Sequence, residues 1–138
     1  MVNTVAKSIR ILELLSEGEN LGITRISRKL DIPKGSVHRI LETLVHFGLV
    51  EKNIESGKFH LGIKLIELGN RAQFELDICR ISNPYLKGIN TKTDETVHLT
   101  VLDNEEVLYV DCVESRKRLR TYSVIGIRAP LYCTAVVK

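Results

Sequence analysis

Residues 24–48 constrain the fold of this chain most, because they form two short amphipathic segments joined by a tight connection. At about 100° per residue, the apolar positions of the second segment form one stripe. They are Val37, Ile40, Leu41, Leu44 and Gly48. Pro33 favours a helix start, because the N–H that it lacks would have no partner in a first turn, and Gly48 favours a helix end. The pattern predicts a helix from about Pro33 to Phe47 with a polar outer face.

The first segment predicts a shorter helix that begins at Thr24, whose side chain can serve as an N-cap. Ile26 and Leu30 would be buried in it. Its basic residues, Arg25, Arg28 and Lys29, would face outward. Two such helices with a short turn between them are typical of a helix-turn-helix. A helical hairpin in an ordinary globular domain has the same pattern, so this stretch alone leaves DNA binding open.

Residues 49–62 come next and predict a β-hairpin, with two extended runs on either side of the turn residues 55–57. A helix-turn-helix followed at once by a hairpin is a winged helix. In that arrangement the second helix enters the major groove and the hairpin tip lies along the DNA backbone. Lys52 and Lys58 lie on or near this wing, where they would neutralise phosphates; alternatively, they only keep the hairpin soluble.

The residues predicted to contact DNA lie on the two helices and the wing. They are Thr24, Arg25, Arg28, Lys34, Gly35, Ser36, His38, Arg39, Lys52 and Lys58. Ser36 and Arg39, with His38 on the flank, lie in the exposed N-terminal half of the second helix, where an arginine can pair bidentately with guanine. Arg39 could instead form a salt bridge to Glu42 or bind only phosphate. Basic residues exceed acidic ones by four over residues 24–64, so most of the formal charge of +3 lies here.

The composition excludes several classes of protein. The 138 residues suffice for one ordinary domain or two small ones, and 43% hydrophobic residues suffice for real cores. No run of 18 apolar residues and no secretory signal occur, which predicts a cytoplasmic protein without a membrane span. The three cysteines, Cys79, Cys112 and Cys133, are scattered and indicate reduced thiols. Neither metal-ligand spacing nor a catalytic constellation is discernible, so we expect no metal, no cofactor and no enzymatic activity.

The remaining segments predict an α+β chain of three parts. Residues 1–62 form the winged helix-turn-helix, whose first helix has Val5, Ile9, Leu12 and Leu15 in one stripe. Residues 63–76 form a linker helix. Residues 77–138 form a second unit with one helix, in which Pro84 kinks the helix or starts a new one, and an antiparallel meander with strands at 96–102, 107–113 and 119–126.

A dimer is expected, since two recognition helices can read two half-sites about one duplex turn apart. The first helix and the linker helix carry the apolar residues for such an interface. The candidates are Ile11, Leu14, Leu15, Leu65, Ile66 and Leu68. The same residues could instead be buried entirely within their own subunit.

The order of several motifs resembles one known family. The motifs are AKSIRILELL (6–15), IPKGSVHRIL (32–41), FHLG (59–62), DETV (94–97), YVD (109–111), VES (113–115) and GIRAPL (126–131). Together they cover essentially the whole chain and are similar to the isocitrate lyase regulator (IclR) family of transcription factors. The resemblance implies a winged helix-turn-helix, a linker helix and an effector-binding domain related to the profilin-like and GAF-like sensing domains.

The resemblance also implies dimers, often paired into tetramers, that bind pseudo-palindromic operators and repress or activate transcription under the control of a small organic metabolite. Two departures from the family pattern stand out. Gly35 occupies a position where the family commonly has a hydroxyl residue, and Val137 replaces the first residue of a glycine-lysine pair. Because the family continues well beyond that pair, residues 77–138 are expected to be a partial, truncated effector domain with unknown effector contacts. The rival interpretation is a winged-helix interaction module without a DNA target.

Overall fold

The computed structural model of the chain describes residues 3–117 and 125–131. The chain consists of two compact units, Met1–Asn70 and Arg71–Lys138. Helices dominate the first unit and an antiparallel sheet with one helix forms the second, which confirms the predicted α+β class. The division between the units falls inside a helix, α4 (Lys64–Glu75), in the region predicted to be a linker.

The N-terminal unit is a winged helix-turn-helix. Its elements are α1 (Asn3–Ser16), α2 (Ile23–Leu30), α3 (Lys34–His46), β1 (Val50–Lys52), β2 (Phe59–Leu61) and the start of α4. β1 and β2 pair antiparallel, and Leu21 forms two backbone hydrogen bonds with Phe59 on the other side of β2. The helix pair and hairpin therefore occur where the sequence predicts them.

The ends of the two central helices follow from local chemistry with one correction. α3 starts directly after Pro33, and Gly48 beyond its end has a φ of +71°, which glycine adopts at little cost. α2 begins earlier than predicted, with Gly22 in the extended N-cap conformation at φ −86° and ψ 161°. Thr24 therefore lies inside the first turn, and its predicted role as an N-cap is wrong.

The core of the N-terminal unit joins all three helices to the wing. It consists of Ile11, Leu14, Leu15, Leu21, Ile26, Ile32, Val37, Ile40, Leu41, Leu44, Val50 and Phe59. The buried face of α1 differs from the predicted stripe: Val5 and Ile9 are 56% and 50% exposed, whereas Ile11 is fully buried. Both faces of α1 carry apolar residues, and packing against the other elements of the unit decides which one is buried.

The base of the wing brings two backbone segments unusually close. The N–H of Gly62 donates to the carbonyl of Leu49 at 2.9 Å, next to the turn at Gly48. The tip is closed by Asn53, whose side chain accepts a hydrogen bond from the N–H of Ser56, and Gly57 has a φ of +64°. Short backbone contacts therefore define the wing at both ends.

In its described residues, the C-terminal unit places one long helix on a three-stranded sheet. Its elements are α5 (Asp77–Thr93), β3 (Val97–Asp103), β4 (Glu106–Val113) and β5 (Arg128–Pro130), with the strands in the order β3-β4-β5 and all pairs antiparallel. The turn between β3 and β4 is formed by Asn104 and Glu105, both at positive φ. α5 contacts both β3 and β4 and runs through Pro84 without starting a new helix.

The described strand that pairs with β4 on the side away from β3 was not predicted. β5 lies at Arg128–Pro130, and the described end of the predicted strand, at residues 125 and 126, is a turn. The rest of that predicted strand, at 119–124, lies outside the described residues, as does Cys133. A β-strand is selected by the partner it pairs with, and local strand propensity did not identify this one.

One buried hydroxyl ties the end of α5 to the end of β4. Ser115 is 2% exposed; its Oγ donates to the carbonyl of Asp94 at 2.7 Å and accepts from the N–H of Lys117 at 3.0 Å. Its own N–H donates to the hydroxyl of Thr96. The DETV and VES motifs therefore form one hydrogen-bonded corner. Within residues 3–117 and 125–131, no helix is both long and apolar enough to cross a membrane.

Candidate nucleic-acid interface

The outward face of α3 carries the residues predicted to read bases. Lys34, Gly35, His38 and Arg39 are exposed and Ser36 is half-buried, while Val37 and Leu41 on the opposite side are buried in the core. No side chain caps the N-terminus of this helix. The first turn therefore presents free backbone N–H groups and polar side chains together, as expected for a recognition helix.

The structure shows which of two neighbours, His38 or Arg39, lies against Glu42 on this face. Nδ1 of His38 lies 3.2 Å from a carboxylate oxygen of Glu42, one helical turn along. Arg39 forms no ion pair with any residue that the structure describes. The alternative in which Glu42 binds Arg39 is therefore not observed, and the guanidinium of Arg39 is available to an external ligand.

A cleft of about 420 Å³ joins the N-terminus of α2 to the tip of the wing. We call it the α2–wing cleft. Its lining residues are Asn20, Gly22, Ile23, Thr24, Arg25, Arg28, Gly57 and Lys58. It brings together four predicted DNA contacts from two separate stretches of sequence. The other four lining residues, Asn20, Gly22, Ile23 and Gly57, were not predicted, because nothing local marks a residue at or before the start of α2 as the neighbour of a distant turn.

The two wing lysines lie in different surroundings. Lys58 lines the α2–wing cleft, whereas Lys52 does not. The Nζ of Lys52 lies 5.8 Å from the ring centroid of Phe59, the residue opposite it in the hairpin, within range of a cation–π contact. The structure therefore groups Lys58, and not Lys52, with the basic residues of α2.

The cations of the N-terminal unit fall into two sets. Arg25 pairs with Glu19 at 2.9 Å, Lys29 lies near Glu17 and Glu19, Lys64 pairs with Glu67, and Arg10 donates to a backbone carbonyl. The others form no ion pair within the described part of the chain. They are Lys7, Arg28, Lys34, Arg39, Lys52 and Lys58. Five of these six are predicted DNA contacts, so the fold leaves cations unneutralised mainly on the predicted binding face.

A second cleft, of about 270 Å³, lies between α1 and α3, and sequence reasoning missed it. We call it the α1–α3 cleft. It is lined by Thr4, Lys7, Ser8, Ser36, Arg39, Ile40 and Thr43. The available signal was spacing, because the three polar residues of α1 precede Ile11 at helical intervals and so share its face.

The predicted dimer residues divide between core and surface. Ile11, Leu14 and Leu15 are 0%, 7% and 3% exposed, so for these three residues the alternative holds: they are buried within their own unit and are not available as an interface. On α4, Ile66 and Leu68 are 63% and 47% exposed, and Leu65 is half-buried. The exposed apolar residues of α1 are Val5 and Ile9.

The two thiols that the structure describes, Cys79 and Cys112, show no sign of activation. Burial raises the pKa of Cys79, and the charge of Asp111 raises it further. Burial likewise raises the pKa of Cys112, together with the carboxylates of Glu114 and Asp111. A raised thiol pKa disfavours the nucleophilic thiolate. Within the described ranges, no group of three or more histidine, cysteine, aspartate or glutamate side chains is placed to hold a metal ion.

Comparison with known proteins gives one consistent family. Residues 4–53 match the model of the IclR helix-turn-helix domain, and residues 71–138 match that of the bacterial transcriptional regulator IclR C-terminal domain. The chain is 39% identical over 137 residues to the HTH-type transcriptional regulator KdgR of Escherichia coli K12, with 99% of this chain and 52% of KdgR covered. It is 34% identical to XynR of the same organism, with 100% of this chain and 55% of XynR covered.

Solved structures agree with these matches. The crystal structure of an IclR transcriptional regulator from Alicyclobacillus acidocaldarius superposes with a TM-score of 0.79 at 28% identity, covering 96% of this chain and 54% of that one. The chain thus spans about half the length of the relatives that it matches. The two IclR models match successive parts of the chain, the first in the N-terminal unit and the second in the C-terminal unit. Together they account for most of the residues. This chain therefore belongs to the IclR family of transcriptional regulators.

Proposed function

We propose that this chain is the DNA-binding part of a sequence-specific transcriptional regulator located in the cytoplasm. The observation that carries the proposal is the set of cations on one winged helix-turn-helix unit that form no ion pair with any described residue. A folded unit with eight acidic residues in its first 70 positions could neutralise many of its cations internally. Six cations whose side chains have neither an ion pair nor a hydrogen bond with any described residue favour a polyanionic partner, because phosphate neutralisation with release of counterions supplies much of the affinity for DNA.

The roles of the elements follow from this geometry. α3 enters the major groove with its uncapped N-terminus and with Ser36, His38 and Arg39 near the base edges. The α2–wing cleft binds the backbone, because free N–H groups at a helix N-terminus favour phosphate and Arg28 and Lys58 add positive charge beside them. A winged helix that serves only as an interaction module would need neither feature.

Binding to duplex DNA tests the function directly. We expect the chain to shift a random-sequence duplex at low salt, with an affinity that falls linearly on a log–log plot against salt, and to enrich a pseudo-palindromic site when duplexes are selected from a random pool. Retention of a protein partner with no shift of any duplex at low salt would support the interaction-module alternative and reject DNA binding.

The wing lysines are expected to differ. Lys58→Ala should lower the salt slope of DNA binding by roughly one unit, equally on specific and random duplexes, because it removes one phosphate contact from the α2–wing cleft. Lys52→Ala should change the slope less, since its ammonium group lies over Phe59. Titrations at several salt concentrations measure both slopes, and Lys92→Ala, which removes an exposed lysine of α5, is the control. Equal slopes for Lys58→Ala and wild type would remove the wing tip from the interface.

We propose further that the chain acts as a homodimer or tetramer, with exposed apolar residues of α1 and α4 as the contact surface. Ile9 and Ile66 are 50% and 63% exposed, and large exposed aliphatic side chains favour an interface. Two recognition helices related by a two-fold axis would match two half-sites. A small organic effector is proposed for the family's C-terminal domain, and we assign no contact residues to it.

The dimer surface can be tested without disturbing the core. The double change Ile9→Glu with Ile66→Glu should give monomers that stay folded. Their preference for a palindromic site over a half-site should be smaller than that of wild type. Sedimentation at tens of micromolar and circular dichroism measure these two properties. Leu14→Glu is the contrasting variant, since Leu14 is buried and a charge there should unfold the unit. A double variant that still sediments as a dimer would place the interface elsewhere.

A further inference from the structure

The face of α1 that points at α3 changes character along the helix. In its second half it consists of Ile11, Leu14 and Leu15, which are buried in the core. In its first half the same face consists of Thr4, Lys7 and Ser8, which line the α1–α3 cleft. Meanwhile Val5 and Ile9 stay largely exposed. Turning polar residues toward a partner helix and apolar ones toward solvent gains no hydrophobic stabilisation, so folding alone does not account for the arrangement.

The chemistry of the α1–α3 cleft suits an anion. Its lining residues include two cations and four hydroxyl groups and no carboxylate. Neither Lys7 nor Arg39 forms an ion pair with a described residue. The hydroxyls of Ser8 and Thr43 donate to backbone carbonyls at 2.9 and 3.0 Å, which leaves those of Thr4 and Ser36 as donors. The volume of about 270 Å³ is several times the roughly 30 Å³ that one water occupies in the liquid, so a tetrahedral anion fits.

The position of the cleft identifies the source of that anion. Ser36 and Arg39 line it and also belong to the face of α3 proposed to enter the major groove. A group bound between them and α1 would therefore lie at the border of that groove, where the DNA backbone runs. The α1–α3 cleft and the α2–wing cleft share no lining residue, so the two would hold different phosphates.

We propose that the α1–α3 cleft binds one phosphate of the DNA backbone and that Lys7 is its main cation, which makes α1 a fourth DNA-contacting element beside α2, α3 and the wing. This inference rests on the proposed function, because it needs DNA as the ligand. Lys7 then positions α3 in the groove and reads no sequence, since phosphate contacts fix the register of a protein on DNA without distinguishing bases.

The test compares Lys7→Ala with Lys92→Ala, which removes the same charge from the C-terminal unit. Alanine favours helix, so Lys7→Ala should melt at or above the wild-type temperature. On a random-sequence duplex, Lys7→Ala should lower the salt slope by roughly one unit, whereas Lys92→Ala should leave it unchanged. Duplexes in which a single phosphate is replaced by a neutral methylphosphonate should then locate the contact. At the phosphate that the cleft binds, the replacement should weaken binding by wild type and should have no further effect on binding by Lys7→Ala.

The outcomes separate the inference from the function on which it rests. If wild type binds DNA and its affinity has the same salt slope as that of Lys7→Ala, the inference is overturned and the proposed function stands. Wild type that binds no duplex at low salt overturns both. A third outcome is that inorganic phosphate raises the melting temperature of wild type but not of Lys7→Ala, while the two proteins have equal salt slopes for DNA binding. This outcome would assign the cleft to the free phosphate ion and would also overturn the proposal.

Discussion

Replacing Gly62 by alanine should lower the melting temperature of the N-terminal unit by roughly 12–24 °C, which corresponds to about 3 kcal/mol in a unit of this size. A Cβ on Gly62 would overlap the carbonyl oxygen of Gly48 and lie 2.9 and 3.0 Å from the carbonyl carbons of Gly48 and Leu49. All three atoms belong to the backbone, so no side chain can rotate away. The wing base would have to open, and the hydrogen bond from the N–H of Gly62 to Leu49 would be lost.

Gly35→Ala provides the matched control for this prediction. Gly35 lies in the first turn of α3, and apart from its chain neighbours and the backbone of its own helix no heavy atom lies within 4 Å of the Cβ that alanine would add there. Because alanine is the better helix former, this variant should gain roughly 0.5–1 kcal/mol. Thermal melts followed by circular dichroism compare the two variants. If both changes shift the melting temperature by similar amounts, the close approach at the wing base is not what selects glycine at position 62.

Replacing Arg39 by alanine should cost about 1–3 kcal/mol on a selected operator, a loss of about 5- to 150-fold in affinity, and should relax the preference at one base pair. Arg39 lies on the exposed face of α3 without an ion pair among the described residues, since Glu42 lies against His38 instead. A guanidinium there can donate to both O6 and N7 of guanine. In a two-fold dimer, each half-site would lose this contact.

Arg39→Lys separates base reading from charge. Lysine keeps the positive charge but lacks the planar fork that makes a bidentate contact. The lysine variant should therefore keep the salt slope of wild type and lose much of the base preference. Binding titrations on the selected operator, on the same operator with single base changes and on random DNA measure both properties. An equal loss for Arg39→Ala on operator and random DNA would make Arg39 a phosphate contact only.

The sequence alone determined the helix-turn-helix, the wing and the family, because their signals are local. Helical spacing selected the buried residues Val37, Ile40, Leu41 and Leu44, and Pro33 and Gly48 placed the ends of α3 within a residue or two. These features depend on backbone preferences and on periodicity within one segment, which do not need a partner. The motif order identified the same family that comparison with known proteins shows.

Tertiary structure decided which of two apolar helix faces is buried and which segments of the chain come together. α1 has two apolar stripes, and packing against the rest of the N-terminal unit buries Ile11 and leaves Ile9 exposed. The third strand pairs with β4 at Arg128–Pro130, since a strand requires a partner that propensity cannot supply. The grouping of Lys58 with α2 and of Lys7 with Arg39 likewise joins residues about 30 positions apart. Side chains that come together only when the chain folds leave little local signal. For the α1–α3 cleft, helical spacing indicated that Thr4, Lys7 and Ser8 share a face, but not which residues of α3 they would meet.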